Sequence, residues 1–193
     1  MNTIKETIEN TLIIKNSRFI TIIYNINDIN DIDKYLKLVK DKYKDATHYC
    51  YAYILPNNIK CSDDGEPGGT AGKPILDVLT KHNLNFILAI VVRYFGGIKL
   101  GAGGLIRAYS KCISSCLNNT ELTKLIPGKN IDIYFTYKDI NDIDLLLTIC
   151  HINNKNYQDM ISYNVNIPND LLPILENKYQ VKVNNDIYIK SDM

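Results

Sequence analysis

The chain has 193 residues, which corresponds to one large domain or two small ones. Hydrophobic residues make up 46% of it and charged residues 22%, a globular composition that argues against disordered and collagen-like chains. No apolar run approaches the roughly 18 residues that a membrane-spanning helix needs, and the net charge of +1 excludes a uniformly basic protein that coats nucleic acid. Because the first ten residues lack the apolar segment of an export signal, we expect a cytoplasmic protein.

Charge and glycine are distributed unevenly along the chain. Residues 1–127 carry 16 basic and 12 acidic side chains, whereas residues 128–193 carry 6 and 9. Nine of the ten glycines lie between Gly65 and Gly104. The change in charge falls at residues 126–129, Ile-Pro-Gly-Lys, which is typical of a turn. We therefore predict two domains, residues 1–127 and residues 128–193.

In the first of these domains, apolar residues at alternate positions predict strands and those spaced by three or four predict helices. The continuous apolar run at residues 86–92 predicts a strand that is covered on both sides. The elements in chain order are a strand pair or one bent strand at 12–26, a helix at 29–43, a strand at 48–55, a helix at 74–82, a strand at 86–92 and a helix at 105–117.

The last third of the chain has the pattern β-α-β-β-α-β, which is the ferredoxin-like arrangement. Its elements are a strand at 131–137, a helix at 140–150, a hairpin of strands 152–157 and 161–167, a helix at 170–179 and a strand at 181–189. The sequence thus predicts an α/β (α+β) protein with two domains.

Two glycine-rich loops each lead directly into a predicted helix. Residues 61–74 hold four glycines and two prolines, and residues 93–104 hold five glycines. Backbone amides at a helix N-terminus favour an anion. A P-loop is excluded because Pro67 and Pro74 stand where it needs glycine and Ser or Thr, and a dinucleotide fingerprint is excluded because Ile106 stands where it needs glycine.

What remains is a pair of candidate phosphate sites edged with cations. The alternative is that the glycines only permit tight turns and close packing of a strand against a helix. The candidate anion-binding residues are Lys73, Arg93, Lys99, Gly101, Gly103, Gly104, Arg107 and Lys111.

The first loop also contains three carboxylates, Asp63, Asp64 and Glu66. They are candidates to hold Mg²⁺ or to act in acid–base chemistry, although carboxylates also accept hydrogen bonds from turn amides. His48 is a candidate base or metal ligand, with a hydrogen-bonded structural histidine as the alternative. Because no nucleophile is positioned beside it, the sequence predicts no catalytic residue and no cofactor.

These loops resemble those of the YigZ/IMPACT family. The resemblance lies in SDDGEPGGTAGKPIL at residues 62–76 and VVRYFGGIKLGAGGLIRAY at residues 91–109, with supporting patterns at residues 15–19 and 48–52. It is specific in residues 46–110, and after Pro127 only the length and the element order agree.

The resemblance implies an N-terminal domain similar to a fold found in a small-subunit ribosomal protein, in domain IV of elongation factor G and in small-molecule kinases. It implies a C-terminal domain similar to the ferredoxin-like domain V of that factor. Members of the family are linked to translational control. Our leading hypothesis is a non-catalytic, translation-associated protein that binds RNA or a ribosomal surface through the two loops. The alternatives are a metal-dependent enzyme acting on a phosphorylated small molecule or nucleotide, and a rigid surface that docks a protein.

Overall fold

The computed structural model describes residues 1–118 and 120–191, and the chain divides into two compact units, residues 1–123 and 124–193. In the described residues, no helix has the length and hydropathy that crossing a bilayer requires. The elements of the first unit are β1 (Asn2–Ile4), β2 (Ile8–Ile14), β3 (Ser17–Asn25), α1 (Asn30–Lys42), β4 (His48–Leu55), β5 (Asn58–Ser62), α2 (Gly72–Lys81), β6 (Ile87–Tyr94) and α3 (Ala102–Leu117).

Five of these strands form an antiparallel sheet in the order β2-β3-β6-β4-β5. The central strand β6 is buried on both faces, as its apolar run predicts. Ala89 and Val91 belong to the core beneath α2 and α3, and Ile90 and Val92 belong to the core beneath α1. Since successive side chains of a strand point to opposite faces, a single apolar run serves both cores.

The region 12–26 is a strand pair. Lys15 and Asn16 join β2 to β3, with φ angles of 45° and 64°, and Ile14 pairs with Ser17 across the turn. Two consecutive positive φ angles are typical of the two-residue turns whose twist matches that of a hairpin. The short strand β5 was not expected from the sequence, because it has only five residues and three of them, Asn58, Lys60 and Ser62, are polar.

The second unit confirms the predicted β-α-β-β-α-β order. Its elements are β7 (Leu122–Phe135, which begins just before the division), a 3₁₀ turn at Tyr137–Asp139, α4 (Ile140–Leu146), β8 (His151–Tyr157), β9 (Ile161–Pro168), α5 (Leu172–Glu176) and β10 (Gln180–Lys190). Within it the antiparallel strand order is β10-β7-β9-β8. Two antiparallel sheets with helices confirm the α+β class.

The turn predicted at residues 126–129 is wrong. Pro127 and Gly128 lie inside β7 and pair with Tyr188 and Ile187 of β10. Proline is tolerated there because the pairing of β9 with β7 ends at Gly128. A Cβ at Gly128 would lie 2.5 Å from the carbonyl oxygen of Ile167, so this glycine serves close strand packing rather than a turn. The domain boundary predicted at 127/128 rests on that turn, and the division into domains 1–127 and 128–193 stays a prediction.

Gly96 provides the sharpest test of how the loops pack in the first unit. A Cβ there would lie 2.1 Å from the carbonyl carbon of Asn16, inside the β2–β3 turn. The atoms that a Cβ would meet belong to the main chain and cannot rotate away as a side chain could. We therefore expect Gly96→Ala to lower the free energy of unfolding by about 3 kcal/mol or more. Chemical denaturation monitored by circular dichroism measures this loss.

Gly68→Ala is the matched control, since nothing lies within 4 Å of a Cβ at Gly68. Its effect should stay within about 1 kcal/mol. Equal stability of the two variants would contradict the close approach of the two loops.

Candidate functional site

Both glycine-rich loops lie at the same end of the first sheet. The strand register places Arg18 beside Tyr94, His48 beside Arg93, and Tyr51 beside Ser62. The turn between β2 and β3, the loop after β6, the start of β4 and the loop after β5 therefore meet at this end. The helices α2 and α3 both begin there.

In the first loop, one of the loop's own carboxylates accepts hydrogen bonds from the backbone amides at the start of α2. Asp63 accepts hydrogen bonds from the amides of Gly69, Ala71 and Gly72, at 2.8, 2.9 and 2.9 Å. Its carboxylate thus occupies the N-terminus of α2, where an external anion was expected to bind. Lys73 is exposed and pairs with Asp77 at 2.6 Å. This loop does not offer the open amide cradle that the sequence predicts, because Asp63 fills it.

The protonation of Asp63 follows from these contacts. Partial burial raises the pKa of its carboxyl, but the three backbone amides outweigh burial and bring the pKa below the usual value of 3.8. Its neighbour Asp64 accepts a hydrogen bond from the amide of Tyr49 at 2.6 Å. Both aspartates therefore hold backbone in place.

The third carboxylate of the loop is buried and forms an ion pair. Glu66 Oε1 lies 2.6 Å from Arg93 Nη1 and also accepts a hydrogen bond from the Tyr109 hydroxyl at 2.7 Å. The prediction that Arg93 is a surface cation is wrong, since only 4% of the residue is exposed. Arg93 occupies the side of β6 that faces α3, as Val91 does, and its charge is balanced inside the protein.

This ion pair is connected to the surrounding loops. Ser17 Oγ accepts hydrogen bonds from Arg93 Nη2 at 3.3 Å and from the Gly96 amide at 3.2 Å. The Cys50 thiol lies 3.0 Å from the Asp63 carbonyl oxygen and 3.3 Å from the Tyr109 hydroxyl. Burial raises the pKa of Cys50 to about 12, so this thiol is a structural group and not a nucleophile.

Tyr109 stays protonated for the same reason. Burial first, and then its contacts with Cys50 and Glu66, raise the pKa of its phenol far above the ordinary value. The hydroxyl is therefore a permanent donor to Glu66 Oε1. Its ring packs edge-on against Phe19 at 5.4 Å between centroids, which places it under the sheet.

The hypothesis that the three carboxylates and His48 hold Mg²⁺ is not supported. In residues 1–118 and 120–191, no group of three His, Cys, Asp or Glu side chains is placed to hold a metal ion. The physical reason is that each carboxylate already has protein donors: backbone amides for Asp63 and Asp64, and Arg93 with Tyr109 for Glu66. His48 lies beside this loop, with Nδ1 2.8 Å from the Asp64 carbonyl oxygen.

The second loop leads directly into α3, and its anion-binding role stays a prediction. Helix α3 begins after Gly101, whose φ is 72°, and no side chain among the described residues caps its first amides. Its first turn contains no acidic residue. Gly101 and Gly103 are exposed and Gly104 is half-buried, so the backbone at the helix start is open to solvent.

Three cations line a groove that runs beside α3. Arg107 and Lys111 lie one turn apart on α3, and together with Lys15 of the β2–β3 turn they line a groove of about 200 Å³ whose floor includes Leu100 and Ala108. All three cationic side chains, like Lys99 in the loop itself, are exposed and form no ion pair within the described residues. We call Lys15, Lys99, Arg107 and Lys111 the α3 cation group.

The sequence analysis did not identify the hydrogen-bond partners of the buried ion pair, or Lys15 as a residue that lines the groove beside α3. Strand alternation is the signal that could have placed Arg93 inside, because it shares a face with Val91 and Ala89. Tyr109 follows Leu105 by one helical turn and so belongs to the apolar stripe of α3. Ser17 carries no comparable signal.

Comparisons with known proteins agree with the family resemblance seen in the two loops. A family model, the Impact N-terminal domain, matches residues 15–117. The IMPACT family member YigZ of Escherichia coli (strain K12) is 35% identical over 162 residues, which cover 80% of this chain and 79% of the relative. This chain belongs to the IMPACT family.

Two further matches support the assignment. The IMPACT family member YvyE of Bacillus subtilis (strain 168) is 47% identical over 120 residues, which cover 61% of this chain and 55% of the relative. This chain therefore spans only about half the length of that relative. The crystal structure of a hypothetical protein is similar with a TM-score of 0.68 and 29% identity, covering 95% of this chain and 97% of the other.

We expect the buried ion pair to dominate the stability of the site. Arg93→Met should lower the free energy of unfolding by about 3–5 kcal/mol, because Glu66 would remain buried without its counter-charge. Denaturant titration measures the loss. The double variant Arg93→Met/Glu66→Gln should lose less than Arg93→Met alone, since no unpaired charge remains.

Arg18→Met is the matched control. Arg18 is exposed and stacks over the Tyr94 ring at 4.3 Å, so its replacement should cost about 1 kcal/mol or less. An equal loss for Arg18→Met and Arg93→Met would show that the buried pair has no special role.

The Asp63 contacts predict a specific acid dependence. Its lowered folded-state pKa contributes stability that is present above the usual value of 3.8 and is lost as the pH falls through the folded-state pKa. Asp63→Asn should therefore be less stable at pH 7 and should show a shallower loss of stability on acidification. Thermal unfolding between pH 7 and pH 3 measures both effects, with Asp41→Asn on α1 as the exposed control. Identical acid profiles for Asp63→Asn and the unaltered protein would contradict the assignment.

Proposed function

We propose that this protein is a translation-associated, RNA-binding member of the IMPACT family, and that it contacts the phosphate backbone through the α3 cation group. The observation that carries the proposal is the groove of Lys15, Arg107 and Lys111, which runs beside α3 from Gly104 in its first turn. Of the two loops expected to bind an anion, this is the one whose backbone amides are left open.

The electrostatics of the groove favour a ligand with negative charge. Arg107 and Lys111 are like charges one turn apart on a helix, an arrangement that costs a few tenths of a kcal/mol in the free protein. The positive end of the helix dipole adds to the same potential, and the first turn contains no carboxylate to offset it. A phosphate in the groove would relieve both effects.

The apolar floor of the groove favours a polymer over a free ion. Leu100 and Ala108 line the groove together with the cations, so a ligand would meet hydrocarbon as well as charge. A nucleic acid supplies phosphates for the cations together with sugar and base surface for the floor. The role in translation, and a place in the cytoplasm, come from the resemblance of residues 46–110 to a family linked to translational control.

The proposal predicts strongly salt-dependent binding of single-stranded RNA. With three phosphate contacts the slope of log affinity against log salt should be about −2, so affinity should fall roughly sixteenfold between 50 and 200 mM salt. The double charge reversal Arg107→Glu/Lys111→Glu should abolish most of the slope. Fluorescence anisotropy with a labelled oligonucleotide measures both.

Lys37→Glu is the control for net charge. Lys37 is an exposed residue of α1, on the opposite face of the sheet from α3, and makes no ion pair with the described residues. This variant should bind RNA with nearly the original slope. Absence of binding at low salt, or equal weakening by Lys37→Glu, would overturn the proposed function.

A further inference from the structure

One exposed arginine at the end of the first sheet lies on an aromatic ring and has no other partner. The guanidinium carbon of Arg18 lies over the ring of Tyr94, 4.3 Å from its centroid. Within the described residues the Arg18 side chain forms no hydrogen bond and no ion pair. Because a guanidinium is planar and this residue is exposed, the face turned away from Tyr94 is open to solvent.

The ring beneath this arginine is held in place by the fold. Arg18 and Tyr94 are direct neighbours on the paired strands β3 and β6. Tyr94 is half-buried, and its hydroxyl donates a hydrogen bond to the carbonyl oxygen of Lys44 at 2.9 Å. The guanidinium therefore rests on a fixed support, so that a ligand stacking on it would order few additional groups.

This arginine is close to the groove beside α3. Lys15, which lines the groove, precedes Arg18 by three residues in the β2–β3 hairpin, so that their Cα atoms are at most about 11 Å apart. Tyr94 packs against the core beneath α1, on the opposite side of the sheet from α3. A nucleic-acid strand that leaves the groove therefore reaches Arg18 by crossing the β2–β3 turn.

The open face of a supported guanidinium fits one class of ligand group. Unpaired bases stack on aromatic rings and on arginine planes, and every base has a flat face that can do so. The N–H groups at the edge of the guanidinium stay available for a phosphate oxygen of the same strand. In a duplex the bases are stacked on one another, so only a single strand can offer both groups together.

We infer that Arg18, supported by Tyr94, is a stacking platform for an unpaired base of the bound RNA. The inference rests on the proposed function, because the base belongs to the strand whose phosphates lie in the groove beside α3. The platform reads the presence of a base and not its identity, since stacking is tolerant of sequence. The inferred ligand is thus single-stranded RNA bound without strong sequence preference.

Oligo(U) and an abasic chain of the same length provide a matched pair of ligands. They have the same number of phosphates, and the abasic chain lacks every base. We expect the unaltered protein to bind oligo(U) roughly tenfold tighter than the abasic chain, which is the contribution of about one stacked base. The dependence on salt should be the same for both ligands, because it reports phosphate contacts. Anisotropy titrations at a series of salt concentrations measure both quantities.

Arg18→Lys keeps the positive charge and removes the plane. In this variant the preference for oligo(U) over the abasic chain should fall below about threefold, with the salt dependence unchanged. Lys111→Gln should do the reverse, lowering the slope by about 0.7 and keeping the preference. Tyr137→Leu, which removes an exposed ring of the second unit, should change neither quantity. Because the preference compares two ligands on one sample, a partial loss of folded protein does not alter it.

The outcomes separate the two proposals. Equal, salt-dependent binding of oligo(U) and the abasic chain to the unaltered protein overturns the stacking platform and leaves the RNA-binding function standing. A preference for oligo(U) that survives Arg18→Lys also overturns the platform. Binding of neither ligand at low salt overturns both proposals.

Discussion

The buried ion pair between Arg93 and Glu66 is the constraint on which the end of the first sheet depends. A charge taken out of water is costly unless a partner and further hydrogen bonds compensate it, and here Tyr109 and Ser17 supply those bonds. Because the four residues come from a loop, two strands and a helix, their contacts fix the loop after β5, the start of β3, the end of β6 and α3 relative to one another.

The two glycine-rich loops look alike in the sequence but have different roles in the structure. The first loop turns its carboxylates inward, so that Asp63 satisfies the start of α2 and Glu66 neutralises Arg93. The second loop has no carboxylate in the first turn of α3, and its cations remain on the surface. The cations of the α3 cation group are therefore not offset by a carboxylate in the first turn of the helix.

Local pattern was enough to predict the class of the fold and most of its elements. The run at residues 86–92 indicated a strand covered on both sides, and β-α-β-β-α-β described the second unit, because both rest on short-range periodicity. Strand alternation places Arg93 on the inner face of β6, but its counter-charge Glu66 lies 27 positions earlier, and no local pattern identifies that partner. The turn predicted at Pro127 and Gly128 was wrong for a related reason. These residues are typical of turns, but close packing between strands places them inside β7.

RNA is proposed to contact the protein at the N-terminal part of α3. Amide chemical shifts recorded during titration of a ¹⁵N-labelled sample with single-stranded RNA test it most directly. The account predicts that the largest shifts fall at residues 101–105, at Lys15 and Asn16, and at the loop around Phe95, with residues 136–160 of the second unit unaffected. Shifts confined to the second unit, or to the first turn of α2 around Lys73, would contradict it.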